Sequence, residues 1–287
     1  MQLELTIIDA FTDTVFKGNS AGVIMLEDWL DDTLMQSIAM QNNLSETAFL
    51  VKRKDALTEA NVPNYHIRWF SPLKEMDFCG HATLASAFNV FTEYPTASCV
   101  NFYADAVGSL AIKKSEDGKI MMDFPNNNPE CIYSKNTAKT VLISDALPDS
   151  LINGLPVVPS EVYKNSQAYF VIYENEEDVL NIQPDKSLLA KLAPLGVCVT
   201  CIAQSKQYKQ YDFISRYFSQ AIRGNEDPVT GSVHTALAPL WAERLGKDKL
   251  IAYQASSRGG ELTCEVLGNR VLISGYAVQY LKGVIEV

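Results

Sequence analysis

The chain has 287 residues, 47% hydrophobic and 20% charged, with a net charge of −10. That is the composition of a globular protein long enough for about two ordinary domains. Its 24 Lys and Arg residues are scattered, which argues against nucleic acid or an anionic membrane surface as a partner. No apolar run reaches the roughly 20 residues of a membrane span. The first residues, "MQLELTIIDAF", alternate as a strand does and show no export signal. A cytoplasmic location is therefore the expectation, and the six cysteines read as reduced thiols.

In chain order, "TLMQSIAMQNNLSETAFLV" predicts a short amphipathic helix leading into a strand. "YHIRWFSP" follows as a strand and a loop, then "CGHATLASAFNVF" as a Gly-led apolar helix. "VGSLAIKKSEDGKIMMDFP" predicts a hairpin turning at Asp117-Gly118. The second half repeats this order in "SLLAKLAPLGVCVTCIAQ", "YDFISRYFS", "TGSVHTALAPLW" and "GGELTCEVLGNRVLISG", with Gly268-Asn269 at the turn. Pro239 is expected to kink or delay the second Gly-led helix. The fold class implied is α+β: two homologous halves, each a barrel-like, mostly antiparallel sheet around a central helix. Residues 1–115, with 277–287 returning to them, form the first half, and 116–276 the second. Hairpins argue against one open, regularly alternating α/β sheet.

Equivalent loops of a duplicated chain suggest a ligand cleft between the halves. The helix starts Gly80-His81 and Gly231-Ser232 would each offer free backbone N–H groups to a carboxylate. Function is expected where the repeats differ. A gap-free alignment from Ala39 and Ala193 sets Glu46 opposite Thr200, a carboxylate in an apolar strand against a neutral hydroxyl. Such a carboxylate is suited to proton transfer. The competing reading is a capping box from Asn43 to Glu46, but "TAFLV" offers it little helix to cap.

His81 is placed at a helix start, His66 in an alternating strand as a structural residue, and His234 inside the second helix as a candidate packing residue. Cys198 and Cys201 lie three apart on a predicted strand, hence on opposite faces, and cannot share a zinc ion. No metal-ligand spacing accompanies any histidine, so no metal site is expected. Arg223, Glu226, Asp227, Thr230 and Ser232 are more groups than a helix cap requires, and they read as a functional loop. "TGSVH" lacks the spacing of a serine nucleophile; Ser232 is expected to offer a hydroxyl and an N–H to an anion. Nucleotide-binding glycine motifs are absent, and no cofactor is expected.

Four segments, "IDAFTDTVFKGNSAGVI", "NLSETAFL", "RWFSPLKEMDFCGHATLASA" and "EDPVTGSVHTAL", together resemble the phenazine-biosynthesis (PhzF-like) isomerases of the diaminopimelate-epimerase-like fold. The resemblance implies a homodimer and a site between two similar halves. It makes Glu46 the general acid/base, with His81 and Asp227 as its catalytic partners. Substrate binding would fall to Asn19, Gly80, His81, Gly231 and Ser232. Ser20 stands where that family usually has Pro. Epimerases of this fold carry a thiol before each Gly-led helix. Here Cys79 precedes Gly80 but Thr230 precedes Gly231, which disfavours two-base inversion and leaves Cys79 as a packing residue. The activity expected is a cofactor-independent proton shift on a small carboxylate-bearing metabolite. A two-base epimerase and a non-catalytic small-acid binder are the alternatives.

Overall fold

A computed structural model describes residues 1–53, 62–136, 146–220 and 226–287. The chain folds as two compact units, Met1–Asp123 with Leu272–Val287, and Phe124–Val271.

The first unit opens with β1 (Gln2–Ala10) and β2 (Asn19–Leu26), an antiparallel pair. Helix α1 (Asp32–Asn42) begins where the Asp31 carboxylate accepts the Thr33 N–H, and ends at Asn43 in the left-handed conformation, φ 53°. Asn43 is thus a C-cap, and Glu46 opens strand β3 (Glu46–Lys52), so the capping-box reading fails. Strand β3 runs parallel to β2 and antiparallel to β4 (Asn64–Phe70), which pairs in turn with the short β5 (Glu75–Met76). Helix α2 (Gly80–Glu93) follows, then β6 (Cys99–Ala104), parallel to β4, and β7 (Gly108–Lys114), which turns into β8 (Ile120–Pro125).

Eleven of the fourteen residues of α2 are buried, as its Ala-rich, nearly uncharged sequence requires. The helix lies against β1, β2, β3 and β6. On the other face of the sheet, Met35, Ile38 and Ala39 of α1 pack with Leu5, Ile24, Phe49 and Phe70. Strand alternation then decides the site. Phe49 points toward α1, so Glu46 lies on the α2 face.

The second unit contains β9 (Glu130–Ser134), α3 (Asp149–Gly154), β10 (Glu161–Lys164) and β11 (Ala168–Ile172). Helices α4 (Glu176–Leu180) and α5 (Lys186–Leu189) lead through a 3₁₀ turn to β12 (Gly196–Ile202). Then come β13 (Phe213–Phe218), β14 (Glu226–Asp227), α6 (Gly231–Leu245), β15 (Lys249–Gln254) and β16 (Gly260–Leu267); β17 (Arg270–Gly275) begins in the second unit and lies mostly in the first. The last strand, β18 (Ala277–Glu286), pairs with β1 and so belongs to the first unit.

Pairing repeats between the units. Strand β12 is parallel to β11 and antiparallel to β13, which pairs with β14 and, in parallel, with β15. These are the relations of β3 to β2, β4, β5 and β6. The expected α+β class, with mostly antiparallel sheets on central helices, is what the chain adopts. Of the kink or delay expected from Pro239, the delay does not occur: α6 starts at Gly231 and runs through the proline. Pro239 supplies no N–H to the Thr235 carbonyl one turn back; the Asn127 N–H occupies that carbonyl instead, at 3.2 Å.

Candidate active site

The repeated pairing also corrects the alignment. Arg68 faces Phe49 across β3 and β4, and Arg216 faces Val199 across β12 and β13. Counting back three residues from each partner, Glu46 corresponds to Gly196, not to Thr200. Both are also the first residues of their strands and pair with the equivalent Ala21 and Ala168. Thr200 is buried structure, donating to the Ile214 carbonyl and accepting the Trp241 indole N–H. Where the first unit carries a carboxylate, the second has no side chain at all. A Cβ on Gly196 would lie 2.4 Å from the Tyr217 hydroxyl, which occupies that space.

In the first unit the structure brings Glu46, His81 and Asn19 together and adds Cys79. Glu46 Oε2 lies 2.9 Å from His81 Nε2, with the Glu46 side chain 15% exposed. That oxygen is buried, and no hydrogen bond among the described residues is aligned on it. The pair is therefore a close charged contact that leaves an oxygen lone pair uncommitted. Asn19 is fully buried, with its side-chain amide 3.2 Å from His81 Nδ1 and its other end accepting the Ser45 hydroxyl at 2.9 Å. A serine hydroxyl can donate or accept, so this chain can adapt to either charge state of the imidazole. Cys79 Sγ stands 3.4 Å from His81 Nδ1.

Burial works against the His81 imidazolium, but Cys79 and Glu46 beside it outweigh that and hold its pKa well above the ordinary histidine value. Burial, reinforced by Glu46, pushes the Cys79 thiol up to about 11, so it keeps its proton at neutral pH. One ligand atom each from Glu46, Cys79 and His81 all fall within 4.8 Å of one another.

The loop before Asn19 is held by Asp9, which accepts the Phe16 N–H at 2.9 Å and the Ser20 hydroxyl. Gly18, at φ +62°, could carry no side chain there, because a Cβ would fall 2.1 Å from the Ala10 carbonyl oxygen.

Asp227, Gly231 and Ser232 belong to the second unit and form a separate set of bonds. Asp227 is buried and accepts the Thr230 hydroxyl. Gln254, which the sequence did not single out, spans from the Thr230 N–H to the Asp227 carbonyl, both at 2.8 Å. Ser232 Oγ accepts from Gln167 Nε2 at 2.7 Å. Glu226 is removed from the functional loop, since it makes a two-point pair with Arg216 at 2.8 and 2.9 Å. The equivalent pair in the first unit is Arg68 with Glu75, at 2.6 and 2.7 Å. Arg223 lies outside the described residues.

Like α3 and α4, and unlike α1 and α5, which Asp31 and Asp185 cap, the two Gly-led helices have no side-chain cap. Their first N–H groups are thus left by the side chains that would ordinarily claim them. His234, fully buried, meets the Thr230 carbonyl at 2.7 Å, and burial depresses it to about 4. It is a neutral packing residue. His66 is edge-on to Trp29 and Tyr103, as a structural residue would be. Val197, Val199 and Cys201 share one apolar cluster that excludes Cys198, so the two cysteines do point to opposite faces.

The sequence model of the "Phenazine biosynthesis-like protein" family matches residues 8–283. The chain belongs to this family. An uncharacterized isomerase of Pseudomonas aeruginosa is 42% identical over 99% of this chain and all of its own length. A crystal structure of a phenazine biosynthesis protein of the PhzF family from Enterococcus faecalis is 41% identical, with TM-score 0.84 over the whole of both chains. At fold level only, a hydroxyproline epimerase from Agrobacterium vitis superposes with TM-score 0.54 at 9% identity, covering 99% of this chain and 92% of its own. Family membership supports an isomerase-type role. Among the described residues, no helix is long and apolar enough to cross a membrane.

Proposed function

We propose that this protein is a cofactor-independent isomerase that moves a proton within a small carboxylate-bearing metabolite, with Glu46 as the acid/base. The observation that carries this reading is the Glu46 carboxylate, 15% exposed, 2.9 Å from His81 Nε2, and with one buried oxygen lacking an aligned donor. A base must present a free lone pair. His81 would then share the proton after transfer and stabilise charge developing on the substrate. Asn19 acts in this reading through His81 rather than on the substrate. The uncapped start at Gly80 and His81 offers N–H donors to the acid group. For the second unit we keep the roles expected from sequence: Asp227 as a hydrogen-bonding partner of the reacting group, Gly231 and Ser232 as anion donors. A two-thiol racemase is disfavoured because Thr230 precedes Gly231, and its hydroxyl is engaged by Asp227.

Deuterium uptake from heavy water into a panel of small unsaturated or carbonyl-bearing acids tests the reading. The wild-type protein should label at least one acid. Glu46→Gln should lower that rate roughly 100-fold or more while melting at the same temperature. Wild-type labelling by the Gln variant would end the assignment.

A further inference from the structure

The geometry points to a second occupant for this cluster: a thiophilic divalent cation of the zinc type, held by Glu46, Cys79 and His81 in competition with the proton that Glu46 moves. This inference rests on the acid/base assignment for its consequence, inhibition, but not for the binding itself.

The argument begins with donor chemistry. One thiol, one imidazole and one carboxylate form a mixed sulfur, nitrogen and oxygen set suited to zinc, and poorly suited to magnesium or calcium. A tetrahedral zinc ion sets its ligand atoms about 3.3–3.6 Å apart, from bond lengths near 2.0 Å to nitrogen or oxygen and 2.3 Å to sulfur. Here His81 Nε2 is 2.9 Å from Glu46 Oε2 and 3.9 Å from Cys79 Sγ, values on either side of that spacing. Cys79 Sγ lies nearer Nδ1, at 3.4 Å, so the imidazole must turn to bring Nε2 toward the sulfur.

A second observation is independent of these distances. Glu46 Oε2 is buried with no hydrogen bond aligned on it, so a cation there would replace only its charged contact with His81 Nε2. The other imidazole nitrogen is already supported. His81 Nδ1 faces the Asn19 amide, and Ser45 can serve either end of that amide, which would fix the ring once Nε2 is bound. Three protein ligands leave a fourth position for water or a substrate carboxylate. Binding would expel the Cys79 proton and any proton on Nε2 to solvent, and would occupy the lone pair that proton transfer needs.

The sequence hides this set because its members lie at positions 46, 79 and 81, in a spacing that matches no metal motif. They meet because Glu46 lies on the α2 face of β3 and Cys79 closes the turn into α2.

Cobalt(II) is the direct probe. The partly or fully exposed thiols are first removed by Cys99→Ser and Cys131→Ser, neither of which touches the site. This background should bind one Co²⁺ per chain, with a sulfur-to-cobalt charge-transfer band and the intense visible bands of four-coordinate cobalt. Zn²⁺ should displace it and suppress deuterium labelling of the substrate acid, reversibly on chelation. Adding Cys79→Ser should remove the charge-transfer band, and adding His81→Gln should weaken binding roughly tenfold or more. Absence of the band in the background protein, or its survival in the Cys79→Ser variant, would overturn the inference. Either result would leave the acid/base reading intact, because Glu46→Gln is judged by labelling without metal.

Discussion

The two Gly-led helices present the same scaffold with different chemistry. Each starts after a short strand whose Glu grips an Arg on the neighbouring strand: Glu75 with Arg68, Glu226 with Arg216. Around that shared frame the side chains diverge. Glu46 is matched by Gly196, Met76 by Asp227, Cys79 by Thr230 and His81 by Ser232. Even the histidines separate, with His81 raised by its charged surroundings and His234 depressed by burial. Duplication preserved the bonds that hold the strands and released the positions around the helix starts. Chemistry is legible in the differences only once the frame fixes which residues correspond.

The largest way to break the symmetry is at Glu46. Glu46→Gln should cost roughly 100-fold or more in turnover, read as solvent deuterium exchange. Next comes the shared frame itself. Arg216 is buried and also donates to the carbonyls of Val179, Leu180 and Ile182, so Arg216→Ala leaves Glu226 unpaired and should destabilise by about 3–5 kcal/mol. Arg68 is more exposed and its partner Glu75 largely solvated, so Arg68→Ala should cost only about 1 kcal/mol. Urea midpoints of the two variants measure the contrast, and equal losses would refute it.

The histidines should respond to pH with opposite signs. His234 stays neutral in the fold down to about pH 4, whereas the unfolded chain takes up its proton near pH 6.5. Its stabilising contribution is therefore present above pH 6.5 and is lost as pH falls from there to about 4, a loss of order 3 kcal/mol. His234→Asn can keep the bond to the Thr230 carbonyl without titrating, and should flatten the pH dependence of the urea midpoint over that range. For His81 the folded value is raised, so its contribution is complete below pH 6.5 and is shed as pH rises through the folded value. The smallest effect is at Gly196. Gly196→Ala forces a methyl against Tyr217 and should destabilise by about 1–3 kcal/mol, seen as a lower Tm.

Much of this was legible in the chain because it is local. Turn residues, alternation and Gly-led apolar runs marked the hairpins, the central helices and the duplication. Glu46 stood out as a carboxylate in an apolar strand. The alignment that singled it out, however, was four residues out of register. The link from α1 to β3 runs through an Asn43 C-cap, whereas α5 ends in a 3₁₀ turn before β12, so counting along the sequence misplaces the second strand. Cross-strand partners corrected it, and only they showed that Glu226 is structural while Asp227, next to it, has no acidic counterpart.

By itself, the sequence determined the fold class, the repeat, and the residue types that can carry chemistry, since propensity and periodicity act over a few residues. Only the tertiary structure decided which face of β3 bears Glu46, that Cys79 and His81 meet it there, and that Asn127 occupies the Thr235 carbonyl left open at Pro239. Those outcomes depend on strand register and on what packs across it, and neither is encoded within any short stretch of chain.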